Sequence, residues 1–160
     1  TELEKINHHS GMTDNECSCD KCVKMCKTAP CLGTPSDVWK LIEAGFGKYI
    51  YNVGWVAGQK YGIPRIEMFQ IGFDNEKGQC PMLKNNLCIL HLRGLKPTEG
   101  RLADCKVYEL KKGKFPPAFI VALSWNFPDN REIVEKISNY FYSRILKKSM
   151  ELFDEWKPEN

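Results

Sequence analysis

The chain lacks the marks of the commonest catalytic classes. It contains no His-Glu-x-x-His segment, no glycine-rich phosphate loop and no Ser-His-Asp order, so the usual metalloprotease, nucleotide-binding and triad-hydrolase chemistries have no residues to carry them. Charge of one sign is not in excess either: 23 basic residues face 20 acidic ones, a net +3. That balance leaves no broad electrostatic footprint for nucleic acid, which is the least favoured partner. Long apolar runs are missing; the longest, Ala118 to Leu123, falls far short of the roughly 20 residues of a membrane span. No membrane partner is expected. The opening residues Thr1-Glu2-Leu3-Glu4-Lys5 have neither a cationic nor an apolar region, so no secretory signal is visible and a cytoplasmic location is expected. In that reducing compartment thiols do not persist as disulfides.

Cysteine, by contrast, is abundant. Cys17, Cys19, Cys22, Cys26 and Cys31 form a first group, and Cys80, Cys88 and Cys105 follow after a long gap, with His91 three residues beyond Cys88. Thiolates and imidazoles hold tetrahedral zinc and iron-sulfur clusters, and the run Cys19-x2-Cys22-x3-Cys26 has ligand spacing. Cys17-x-Cys19 is too short to bridge internally with ease, which favours metal over disulfides. With 160 residues, 42% of them hydrophobic, the chain can also bury a core of its own, so a metal would supplement that core.

The order of signals predicts a small single α+β domain: a cysteine-rich, metal-bound N-terminal half, a central β-hairpin and a long C-terminal helix. Residues 1–16, which include His8-His9, read as a flexible arm, and residues 17–160 as the metal-binding domain. Thr34, Pro35 and Asp37 mark a helix start, Val38, Leu41 and Ile42 give it an apolar face, and Gly45 can stop it. The positive end of this helix, close to Cys31, would favour thiolate over thiol. A short helix is predicted over Lys48 to Val56 and a strand over Ile66 to Phe73. Cys80-Pro-Met-Leu and Leu-Cys88-Ile-Leu flank a Lys84-Asn85-Asn86 turn, in a register that places Cys80 opposite Cys88. A turn or helix begins at Pro97 to Arg101. Lys111, Lys112 and Lys114 read as a solvated turn, and Ala118 to Phe127 as a buried strand. A core-packing helix runs from about Glu132 to Trp156, with Ile133, Ile137, Tyr140, Phe141, Ile145 and Phe153 close to one face. Exposure of Phe153 and Trp156 would instead mark a partner surface.

Several of these segments together carry a resemblance. Cys19-x2-Cys22-x3-Cys26-x4-Cys31-x2-Thr-Pro, then Leu41-Ile-Glu-Ala-Gly45, then Gly78-x-Cys80-Pro-Met-Leu-x4-Cys88-Ile-Leu-His91, then Gly94-Leu-Lys-Pro-x-Glu-Gly-Arg101, resemble the YkgJ-type cysteine-cluster proteins, described as zinc- or iron-chelating domains. The resemblance spans roughly Cys17 to Lys106, and the branch with Pro-Cys before Thr-Pro and with Cys-x-Leu-His fits best. Carried over by position, it implies the ligands Cys19, Cys22, Cys26, Cys31, Cys80, Cys88, His91 and Cys105, with Cys17 a spare thiol. Two closed tetrahedral zinc sites would use all of them and leave no open coordination position, which is a structural role exerted through a protein partner. The alternative is a redox or enzyme-accessory protein with a four-cysteine iron-sulfur cluster. No substrate or catalytic residue is implied.

Overall fold

The computed structural model describes residues 1–11, 19–54, 66–102 and 113–156. Cys17, Cys105, Lys111 and Lys112 lie outside them. The first residues are helical. Helix α1 spans Glu2–Ser10, started by a reciprocal capping box between Thr1 and Glu4 and ended by Gly11 in the left-handed region at φ 68°. It packs on helix α5 (Pro117–Ser124) and buries Ile6 completely, so the segment read as a flexible arm contributes to the core over this stretch. Lys114, on the turn read as solvated, is partly exposed and also tied down: its Nζ donates to the His8 carbonyl at 2.6 Å, at the negative end of α1.

Helix α2 (Asp20–Thr28) follows, then α3 (Pro35–Leu41), whose start is as predicted. Thr34 Oγ1 accepts from the Asp37 N–H at 3.2 Å while Asp37 Oδ2 accepts from the Thr34 N–H at 3.0 Å. Beyond Leu41 the helix widens into a single π-type turn, Ile42–Phe46, and Gly45 at φ 90° reverses the chain. The helix predicted over Lys48 to Val56 is absent from its described part: Gly47–Tyr49 forms a short 3₁₀ turn and Ile50–Asn52 is strand β1. Strand β2, Phe69–Ile71, is shorter than the predicted Ile66 to Phe73 and pairs antiparallel with β1, Ile50 facing Ile71.

The hairpin exists in a different register. Strands β3 (Leu83–Lys84) and β4 (Leu87–Cys88) pair antiparallel, so Cys88 faces Leu83 rather than Cys80. Asn85 and Asn86 both adopt positive φ, 49° and 61°, which makes a two-residue turn where three residues were expected. Cys80 instead closes a tight turn before β3, its carbonyl accepting from the Leu83 N–H at 3.1 Å.

Helix α4 (Thr98–Leu102) and helix α5 complete the middle of the chain. The apolar run from Ala118, predicted as a strand, is the body of α5. Pro117 occupies its first turn, and Phe119 to Ala122 are buried all round because α1 and α4 both pack on it. The long helix α6, Arg131–Glu155, matches its predicted limits within a residue. Ile137 and Phe141 enter the core, but Ile145 and Phe153 are exposed, so the predicted core-packing face serves only the first half. At the crossover Arg144 donates to the carbonyls of Gly47 and Ile50, the latter at 2.6 Å. Over the described residues the result is a mixed α+β fold with two small antiparallel sheets and one continuous core from Ile6 to Phe141. Among the described residues no helix is long and apolar enough to cross a membrane.

Candidate metal centre

Three segments of chain bring cysteines together. Helix α2 presents Cys22 and Cys26, four residues apart and hence on one face. The loop that leaves α2 carries Cys31, and the turn before β3 and strand β4 carry Cys80 and Cys88. A direct backbone bond joins two of these segments, the Cys80 N–H donating to the Cys26 carbonyl at 2.9 Å.

The loop holding Cys31 is fastened through the backbone of Leu32 and Gly33. The Leu32 N–H donates to the Glu99 carboxylate, and the Leu32 carbonyl accepts from the Glu99 N–H at 3.1 Å. The Gly33 carbonyl accepts from Trp125 Nε1 at 2.9 Å. Asp37 Oδ2 binds both ends of the junction with α4, accepting from the Thr98 N–H at 2.9 Å and the Thr98 hydroxyl at 2.6 Å. Gly100 then approaches so closely that a Cβ there would lie 2.6 Å from Cys31 Sγ. The absence of a side chain at position 100 leaves room for that sulfur.

Cys26, Cys31, Cys80 and Cys88 are unbridged thiols, and every pair among them is coupled electrostatically. Burial, reinforced by the Glu99 charge and by the other three sulfurs, holds the Cys31 thiol well above the usual range. Burial likewise pushes Cys80 up to about 11, against hydrogen bonds from the backbone of Met82 and Leu83. Cys26 is raised by burial and then by Cys88, with Lys96 acting in the opposite direction. The dipole of α3 was expected to favour thiolate at Cys31, yet the net shift is the other way. Its first turn is already satisfied by the Asp37 carboxylate, and burial dominates.

The remaining predicted ligands divide. Cys22, Cys26, Cys88 and His91 line a small pocket of about 80 Å³, and Cys22, Cys26 and Cys31 share a neighbouring cleft of about 580 Å³ with Glu99. Cys19 is exposed at the start of α2 and lines neither. Cys105 falls outside the described residues. Among the described residues, no three Cys, His, Asp or Glu side chains converge tightly enough to grip an ion. The donor chemistry fits soft metal all the same: a thiol cluster whose mutual repulsion on ionisation a cation would relieve. Lys96, Glu99 and Gly100 surround it and were not singled out from sequence as site residues, although they sit in the Gly94 to Arg101 motif.

The Cys80 shift has a thermodynamic consequence for metal-free, reduced protein. A thiol that titrates near 9.0 unfolded and near 11 folded binds more protons in the native state between those values, so stability falls as pH rises through that window. Urea unfolding at pH 8.0 and 10.5 should show a loss of about 2 kcal/mol from this group. A Cys80→Ala variant that loses just as much would remove Cys80 as the cause.

Compared with known proteins, the chain matches no family model, and no curated protein and no solved structure is detectably similar to it.

Proposed function

We propose that the protein is a metal-binding protein in which zinc, held by cysteine with histidine nearby, is a structural staple, and that it acts through protein partners. One observation carries the reading: four thiols from three separate chain segments, Cys80 buried and the others half-buried, lie close enough to act on one another. Such a set costs stability if it ionises without a cation and gains stability if it ionises around one. Four thiolates fill the tetrahedral shell of zinc and leave no position for substrate, which is the arrangement of a structural site. The resemblance to YkgJ-type chelating domains supports the same chemistry and draws in Cys19, Cys22, His91 and Cys105 as further ligands. Unbridged thiols also suit the reducing cytoplasm.

Four cysteines equally satisfy an iron-sulfur cluster, and this is the second reading, that of a redox or enzyme-accessory protein. Purification without oxygen, followed by elemental and sulfide analysis, separates the two. Colourless protein with stoichiometric zinc supports the staple. Brown protein with iron, sulfide and charge-transfer absorption supports the cluster. Protein without either metal whose folding is indifferent to chelators would overturn both.

A further inference from the structure

Among the described residues, helix α6 outruns the body it belongs to. Arg144 is its last anchor there, and every residue from 145 to 156 is exposed. This stretch of about three turns, roughly 18 Å at the α-helical rise, is nevertheless not polar all round. Ile145, Leu146, Met150, Leu152, Phe153 and Trp156 fall on one side of it, with Leu146 61% and Phe153 73% exposed. Phe153 and Trp156 already stack on each other, their ring centroids 6.5 Å apart. A contiguous stripe of large apolar side chains is unusual on a surface that stays in water.

The charges beside the stripe select its occupant. Lys147 and Lys148 lie at its start, whereas Glu151, Asp154 and Glu155 lie at its end. A bilayer surface favours helices whose polar face is dominated by lysine and arginine, and here acids outnumber bases. A parallel copy of the same helix would set lysine against lysine and acid against acid. An antiparallel copy lays each lysine pair alongside the acidic end, with Lys147 level with Glu151 of the second copy and about one turn from its Asp154. It also matches the apolar residues by position: a twofold axis near Ser149 puts Ile145 against Phe153 of the second copy and Leu146 against Leu152 of the second copy. The small Ser149 then lies where the two helices cross, which permits close approach.

We propose that the projecting half of α6 is a self-association surface, and that two copies of the chain pair antiparallel through this apolar stripe. Sedimentation equilibrium of the full chain at low salt should give twice the 18.4 kDa chain mass. Leu146→Glu with Phe153→Glu should yield a monomer of unchanged far-ultraviolet circular dichroism. The orientation is tested by charge reversal. Lys147→Glu with Lys148→Glu, and separately Asp154→Lys with Glu155→Lys, should each weaken dimerisation at least tenfold, and mixing the two variants should restore it as a heterodimer. A wild-type monomer at about 100 μM, dimers indifferent to either reversal, or failure of the mixture to recover would each overturn the proposal.

Discussion

On the zinc reading, Cys80→Ser is expected to weaken metal binding about 100-fold and, with it, to remove a substantial part of the stability that zinc confers. Cys80 is 6% exposed, is coupled to Cys26 and Cys88, and is fixed to α2 through the Cys26 carbonyl. Serine preserves the shape but supplies no thiolate at neutral pH. Loss of a group that merely orients a ligand lowers metal affinity about 10–100-fold, so removal of a ligand should reach or exceed about 100-fold. At free zinc about 1,000 times the dissociation constant, binding contributes about 4 kcal/mol. A 100-fold weaker site retains about 1.4 kcal/mol, so the variant should lose about 2.7 kcal/mol in zinc. Zinc competition against a chelator of known affinity, and urea unfolding with and without chelator, check both numbers. Wild-type zinc affinity in the variant, or the same loss in chelator as in zinc, would remove Cys80 from the site. Cys19→Ser is the contrasting case: the set of Cys26, Cys31, Cys80 and Cys88 stays complete without this exposed thiol, so the loss of metal affinity should be smaller than in Cys80→Ser, and serine is the better residue at a helix N-cap.

Asp37→Ala should destabilise the protein by about 3–5 kcal/mol whether or not metal is bound. One carboxylate oxygen accepts from the Thr34 N–H, the Thr98 N–H and the Thr98 hydroxyl, and Thr98 is only 3% exposed. Alanine removes the carboxylate half of the capping box and strands two donors of Thr98 away from water, and bonds to a charged acceptor contribute about 1.5–3 kcal/mol each without being additive. For a chain of this size the midpoint of thermal unfolding should fall by roughly 10 °C. Asp37→Asn retains one acceptor oxygen and should recover part of the loss. A change below about 1 kcal/mol in Asp37→Ala would show that these bonds are readily replaced by water.

The two predictions draw on features of different legibility. Thr34, Pro35 and Asp37 were readable because a helix cap is settled within four residues, and the limits of α6 because its periodic pattern is long. The second role of Asp37, as acceptor for Thr98, was not readable, since nothing local links residues 61 positions apart. Helix α5 reads as a strand in sequence because a short apolar run has no period to show. Pro117 at its start was the missed signal. Thr1 and Glu4 offered a capping box that an assumption of terminal flexibility concealed. In the hairpin the paired asparagines at 85 and 86 define the turn, and counting Lys84 into it shifted the register and put the wrong residues opposite one another. The cysteine grouping, by contrast, was visible at once as composition and spacing. Which sulfurs meet depends on how Leu32, Glu99 and Trp125 fasten one loop, and that is a tertiary matter.

That fastening also imposes an order of events during synthesis. Leu32 depends on Glu99, 67 residues downstream, and Gly33 on Trp125, 92 residues downstream. At about 5–20 residues per second, roughly 5–20 s pass between the emergence of Cys31 and that of the last side chain that fixes its loop. The cysteines of the first half therefore enter the cell as loose, competing thiols, and become a defined set only when the C-terminal half arrives to hold them.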